Sequence, residues 1–220
     1  MMRNGRKLLY RGILLVTLFG VWTVLVQTVD VQRAGETGTE IGFAALNSWF
    51  HRLTGVHMGI YTVTDWLGLV PVLVCLVFGG VGLVQLVKRK SLLKVDFDLI
   101  FLGVYYMLVV SAYIAFEMMP VNYRPVYIGG RLEASYPSST ALLVLSVMPT
   151  LVFQAGRRVR RAEVKKGVGI FAALFSAGTV VGRLVSGVHW FTDIAGAVLL
   201  SAGLFCLYKG AVLLHGREER

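Results

Sequence analysis

Six apolar stretches, near 12–29, 66–87, 97–116, 139–155, 168–185 and 190–208, organise this chain. Each approaches or exceeds the roughly 20 residues that a helix needs to cross the hydrocarbon layer of a bilayer. In the loop after the first stretch, Phe43, Leu46, Phe50 and Leu53 recur at helical spacing, with Asn47, His51 and Arg52 on the remaining surface. That pattern predicts a short helix lying in the membrane interface and packed over the mouth of the bundle. Pro71 and Pro149 fall inside predicted spans, where neighbouring helices tolerate a kink. No repeat, low-complexity tract or long linker breaks the pattern. The reading is all-α: a six-transmembrane-helix bundle with an interfacial helix in its first outward loop, forming a single domain over residues 1–220.

Composition supports that class, since 56% of the 220 residues are hydrophobic and only 15% charged, more apolar surface than a water-soluble fold hides. The formal charge of +10 raises nucleic acid as a partner, and the placement of the charge answers it. Arg3, Arg6, Lys7 and Arg11 precede the first span, and Lys88, Arg89, Lys90 and Lys94 follow the second. Arg157, Arg158, Arg160, Arg161, Lys165 and Lys166 follow the fourth; Lys209, Arg217 and Arg220 close the sixth. Seventeen of the 22 basic residues thus share one side of the bundle, leaving Arg33, Arg52, Arg124, Arg131 and Arg183 for the other. Basic loops stay in the cytoplasm, so both termini are expected there and the partner is the lipid bilayer of the plasma membrane, not nucleic acid. Gln27 to Gly35 has no small-x-small cleavage pattern, so the first span reads as an uncleaved anchor. Cys75 and Cys206 lie inside spans as small apolar fillers.

Three polar clusters fall on the outward side: Asn122-Tyr123-Arg124-Pro125, then Tyr136-Pro137-Ser138-Ser139-Thr140, then Gly182-Arg183 with Gly187, His189 and Asp193. They sit at the ends of the third to sixth spans, so one pocket can collect them. Pro137 followed by Ser138 and Ser139 opens a helix, where unpaired N–H groups and the helix dipole favour an anion such as phosphate. Arg124 and Arg183 can each donate paired hydrogen bonds to phosphate oxygens. His189 and Asp193, four apart, lie on one helix face, a spacing that lets a carboxylate orient an imidazole for work as nucleophile or base. Asp65, beside Trp66 at the outer end of the second span, is a minor candidate, being costly in a membrane unless wet or paired.

The order Arg124-Pro125, Pro137-Ser138-Ser139-Thr140, and Arg183 through Gly187, His189 and Asp193, on six spans, resembles the type 2 phosphatidic acid phosphatases. This is the membrane lipid phosphatase branch of the vanadium haloperoxidase-like superfamily. The resemblance implies that His189 attacks phosphorus, Asp193 orients it, Arg124 and Arg183 hold the phosphoryl oxygens, and Ser138, Ser139 and nearby N–H groups share that hold. It implies a membrane lipid ending in phosphate or pyrophosphate as substrate, and neither metal nor organic cofactor.

The second motif is degenerate. The family pattern reads Pro-Ser-Gly-His, its His protonating the leaving group, whereas Ser139 and Thr140 occupy its last two places here. The family's Lys seven residues before the first Arg is Glu117, and Arg131 is the residue available to compensate that charge. Loss of a general acid is severe when an alkoxide must leave and less so when the leaving group is a lipid phosphate. The expected substrate is therefore a lipid pyrophosphate, such as an undecaprenyl carrier. Glu117, Glu133, His51 and His57 are candidate replacement acids. A lipid phosphotransferase, and a non-catalytic protein that binds a lipid headgroup, are the alternatives; oligomeric state is open.

Overall fold

The computed structural model describes residues 2–216; Arg217 and Arg220, counted above among the basic residues, lie outside them. Eight α-helices follow in order: α1 (Met2–Thr28), α2 (Ala44–Thr54), α3 (Met58–Leu67), α4 (Leu69–Arg89), α5 (Phe97–Met118), α6 (Ser139–Arg158), α7 (Ala162–Val185) and α8 (Phe191–His215). Six segments are long and apolar enough to cross a membrane, with α3 and α4 together making the second, Met58–Arg89. The six expected spans are all present, and most run several residues beyond their apolar cores.

The second span departs most from expectation. It begins at Met58 instead of near Trp66, and Asp65 consequently lies within the spanning segment, not at its outer end. The reason is local. Thr62 and Thr64 return their hydroxyls to the carbonyls of Met58 and Ile60 at 2.9 and 2.8 Å, which removes the polarity that made this stretch look like loop. Gly68 breaks the helix into α3 and α4, its N–H bonding to the Asp65 carbonyl.

The loop after α1 holds a small antiparallel hairpin, β1 (Gln32–Ala34) with β2 (Thr39–Ile41), which the hydropathy pattern did not predict. Helix α2 forms where expected, but its faces are the reverse of a water-soluble helix. Asn47 is buried, while Leu46, Trp49 and Leu53 are exposed. Asn47 donates to Thr192 Oγ1 and accepts from the Thr192 N–H, at 3.0 and 3.2 Å, so the polar face clamps the start of α8.

Helices α1 and α8 run antiparallel and close together because glycines face bulky side chains across their seam. A Cβ at Gly12 would come within 2.7 Å of the Leu207 side chain, and one at Gly203 within 2.9 Å of Val16; such small-residue seams bring membrane helices together where lipid supplies no hydrophobic drive. Helix α6 is the most enclosed, packed against α4, α5, α7 and α8. Phe19, Tyr136, Ala141, Leu142, Ile194, Ala197 and Leu200 form the core beneath its first turns. The C-terminal ends of α1, α5 and α7 and the N-terminal ends of α3, α6 and α8 share one end of the bundle, called the near end below.

Candidate active site

The near end is built by three local structures. The segment after α5 folds back on itself: Tyr123 bridges Ala134, the Arg124 N–H bonds to the Glu133 carbonyl at 3.0 Å, and Ser135 N–H bonds to the Asn122 carbonyl at 2.9 Å. Helix α6 then opens at Ser138. The turn from α7 to α8 passes through Gly187, at φ 70°, where a Cβ would lie 1.9 Å from the Gly55 carbonyl oxygen. Only glycine fits that position, and the fit ties the turn to the α2–α3 connection, where the His57 N–H bonds to the Ser186 carbonyl.

These pieces place His189, itself buried, at their centre. Arg124 Nη1 and Arg183 Nη2 lie 3.3 and 3.1 Å from its Nε2. A guanidinium has no acceptor, so Nε2 presents its lone pair and Nδ1 carries the proton. That proton is donated to the Ser135 carbonyl at 3.2 Å, with Asp193 Oδ2 at 3.5 Å from the same nitrogen. Burial, then the charges of Arg124 and Arg183, hold the imidazole pKa well below its ordinary 6.5, against the opposing bond to Ser135. The ring is neutral at neutral pH.

The i, i+4 spacing of His189 and Asp193 holds, but Asp193 is not the nearest partner of Nδ1; the Ser135 carbonyl is. Asp193 Oδ2 accepts the Trp190 N–H at 2.9 Å, closing the first turn of α8, and Oδ1 faces Asn122 Nδ2 at 3.4 Å. Its carboxylate therefore joins α8, the α5–α6 segment and the imidazole. Ser138 is fully buried, its N–H bonded to the Asp193 carbonyl and its hydroxyl without a hydrogen-bond partner in the protein.

The two guanidiniums are crowded cations, and the structure balances them three ways. Arg183 Nη1 reaches Asp65 Oδ1 at 3.5 Å. Glu133 Oε2 lies 3.1 Å from Arg124 Nε but off the N–H direction, so this contact is an ion pair without a directed hydrogen bond. Both guanidiniums also lie over the Tyr61 ring, at 4.8 Å for Arg183 and 5.6 Å for Arg124. Tyr61 was not singled out in the sequence; its i, i+4 spacing to Asp65 was the available signal.

The other expected residues divide. Glu117 is exposed, beside a small cleft with Tyr113, Phe116 and Ser139, and makes no ion pair with either site arginine. Arg131 is exposed in the Ile128–Arg131 turn and compensates nothing there. His57 Nε2 bonds to the Thr54 carbonyl, and His51 packs on the Trp190 ring. Ser139 and Thr140 line a cavity of about 360 Å³ with Asp65, Tyr113 and apolar residues of α4, α5 and α6. Among the described residues, no group of three or more His, Cys, Asp or Glu could hold a metal ion.

The chain resembles, with a TM-score of 0.67 and 17% identity, a transmembrane PAP2-type phosphatidylglycerolphosphate phosphatase from Bacillus subtilis, covering 94% of this chain and 98% of that one. The shared fold is that of a multi-pass membrane protein. No curated protein matches the chain. The family model described as PAP2 superfamily matches residues 100–215, which contain Arg124, Ser138, Arg183, His189 and Asp193. The chain belongs to the PAP2 superfamily.

Proposed function

We propose that this protein removes the terminal phosphate of a membrane lipid through a phosphohistidine on His189, on the extracytoplasmic face of the plasma membrane. The family supports a membrane lipid phosphatase. The observation that carries the finer reading is the neutral imidazole whose Nε2 lone pair is faced by two arginines. An oxyanion there meets both guanidiniums, the Ser138 hydroxyl and the opening N–H groups of α6, including that of Ser139, all fixed before the substrate arrives. Nε2 attacks phosphorus and the bond to the leaving group breaks. The charge that develops on the ring is offset by Asp193 and the Ser135 carbonyl at Nδ1. No metal or organic cofactor enters the mechanism.

Thr140 offers no proton to the leaving group at neutral pH, so a leaving group that is already a stable anion suits this site. That favours a lipid pyrophosphate, such as an undecaprenyl carrier, over a phosphate monoester such as phosphatidic acid. The apolar walls of the cavity beside Thr140 suit the adjoining lipid chain. The test is phosphate release by the purified protein in detergent from undecaprenyl pyrophosphate and from phosphatidic acid. We expect release from the pyrophosphate to exceed that from phosphatidic acid at least tenfold, and His189→Ala to lower it by about four orders of magnitude or more. Equal turnover of the two lipids refutes the preference, and lipid binding without release from either makes the protein a headgroup binder.

A further inference from the structure

Hydrolysis through a phosphohistidine needs two proton-handling events: one at the leaving group, one at the water that frees the phosphate. A pyrophosphate relieves the first. The second remains, and Thr140, standing where the family pattern places a histidine, cannot accept a proton from water. The question is which side chain near Thr140 can.

The residues considered from sequence are poorly placed. Glu133 is paired with Arg124, Glu117 lines a separate cleft that reaches Ser139 but not Thr140, His57 is bonded to the Thr54 carbonyl, and His51 is packed on Trp190. Asp65 is different. It shares the cavity of Ser139 and Thr140. It comes there because α3 ends at Gly68, where a Cβ would touch the Thr140 methyl at 3.5 Å, so the last turn of α3 abuts the first turn of α6. Its Oδ1 faces Arg183 Nη1, while the other terminal nitrogen of the same guanidinium faces His189 Nε2. Asp65 and His189 thus flank Arg183, the residue that would hold the phosphoryl group between them. Its side chain remains 58% exposed. A carboxylate two turns inside a spanning segment is costly unless it is paired, and Arg183 is the partner that keeps it beside the site.

Resting on the phosphohistidine reading, we infer that Asp65 is a catalytic residue of the second half-reaction, the general base that takes over work a histidine at position 140 would do. A water oxygen attacks phosphorus while the P–Nε2 bond breaks and its electron pair returns to Nε2. The water's proton passes to Asp65 Oδ2, since Oδ1 is the oxygen that accepts from Arg183. Inorganic phosphate and neutral His189 result, and Asp65 gives its proton to solvent.

The experiment is rapid-quench kinetics on the full-length protein in detergent, using undecaprenyl pyrophosphate labelled in its terminal phosphate, with wild type, Asp65→Asn, Asp65→Glu and His189→Ala. In Asp65→Asn, label should load onto the protein at near the wild-type rate and leave it about a hundredfold more slowly; Asp65→Glu should recover part of the loss. Wild-type breakdown in Asp65→Asn overturns the inference. So do loading and breakdown that fall together, since Asp65 would then only orient Arg183. If label appears on neither wild type nor Asp65→Asn while wild type still releases phosphate, the phosphohistidine reading fails and this inference with it. Label present on wild type, absent from His189→Ala and lost normally from Asp65→Asn sinks the inference alone.

Discussion

Arginine clusters stand at both ends of the bundle, and they differ in what answers them. At the far end, Asp98 is buried and accepts from Arg157 Nε at 2.9 Å and Arg158 Nη1 at 2.7 Å, while Asp96 accepts from Arg89 at 2.8 Å and from Gln85. Arg158 also meets Gln154, which in turn donates to the Tyr208 hydroxyl at 2.6 Å. These guanidiniums are answered by carboxylates aligned with their N–H groups. At the near end, Asp65 accepts from Arg183 only at the long distance of 3.5 Å and Glu133 lies off the Arg124 Nε–H direction, Arg124 Nε and Arg183 Nε lack hydrogen bonds, and both arginines converge on a neutral ring. The far cluster has spent its donors on holding α5 to α6. The near cluster leaves Arg124 Nε and Arg183 Nε without partners, and under the proposed function that incomplete internal pairing is what separates a binding site from a brace.

That contrast can be broken experimentally, beginning with the arginine most central to the site. Arg183→Lys retains the charge but loses the planar fork that serves Nε2, Asp65 and Tyr61 together; kcat for lipid pyrophosphate should fall about a hundred- to a thousandfold, measured as phosphate release. A smaller change in turnover comes through proton affinity. Protonation of His189 removes its Nε2 lone pair, so the acid limb of kcat/KM should lie well below pH 6.5 in wild type. Arg124→Gln removes a cation that depresses this pKa, so the limb should move to higher pH while the overall rate also falls; a limb that stays put would detach His189 from Arg124. The smallest effect on turnover belongs to the far end. Asp98→Asn should leave phosphate release within about twofold, yet cost roughly 3 kcal/mol of stability by leaving two arginines with a weakened partner, read from thermal unfolding in detergent.

Sequence reading succeeded where chemistry is local. The spans follow from apolar length, and the motif residues Arg124, Ser138, Arg183, His189 and Asp193 reach one place because alternate helix ends must lie at the same end of a bundle. It failed where partners come from distant segments. The Ser135 carbonyl as first partner of Nδ1 depends on the fold-back of residues 122–135, which has no hydropathy signature. Tyr61 beneath both guanidiniums depends on α3 starting eight residues before Trp66. Glu117 stood out by its spacing to the motif and Arg131 as its compensating charge, yet Glu117 pairs with neither site arginine and Arg131 is exposed in its own turn.

The amino-acid order alone therefore determined that the chain spans a bilayer, how many times, and which residue types suited to phosphate chemistry gather at the helix ends, because transfer of apolar segments from water and the donor inventory of each side chain are properties of the residues themselves. Only the tertiary structure decided which carboxylate stands beside Thr140, which carbonyl holds the imidazole, and which arginines converge on its other nitrogen. Those are matters of distance and direction between segments far apart in the chain, and hydrogen bonds and ion pairs of this kind act only over a few ångströms.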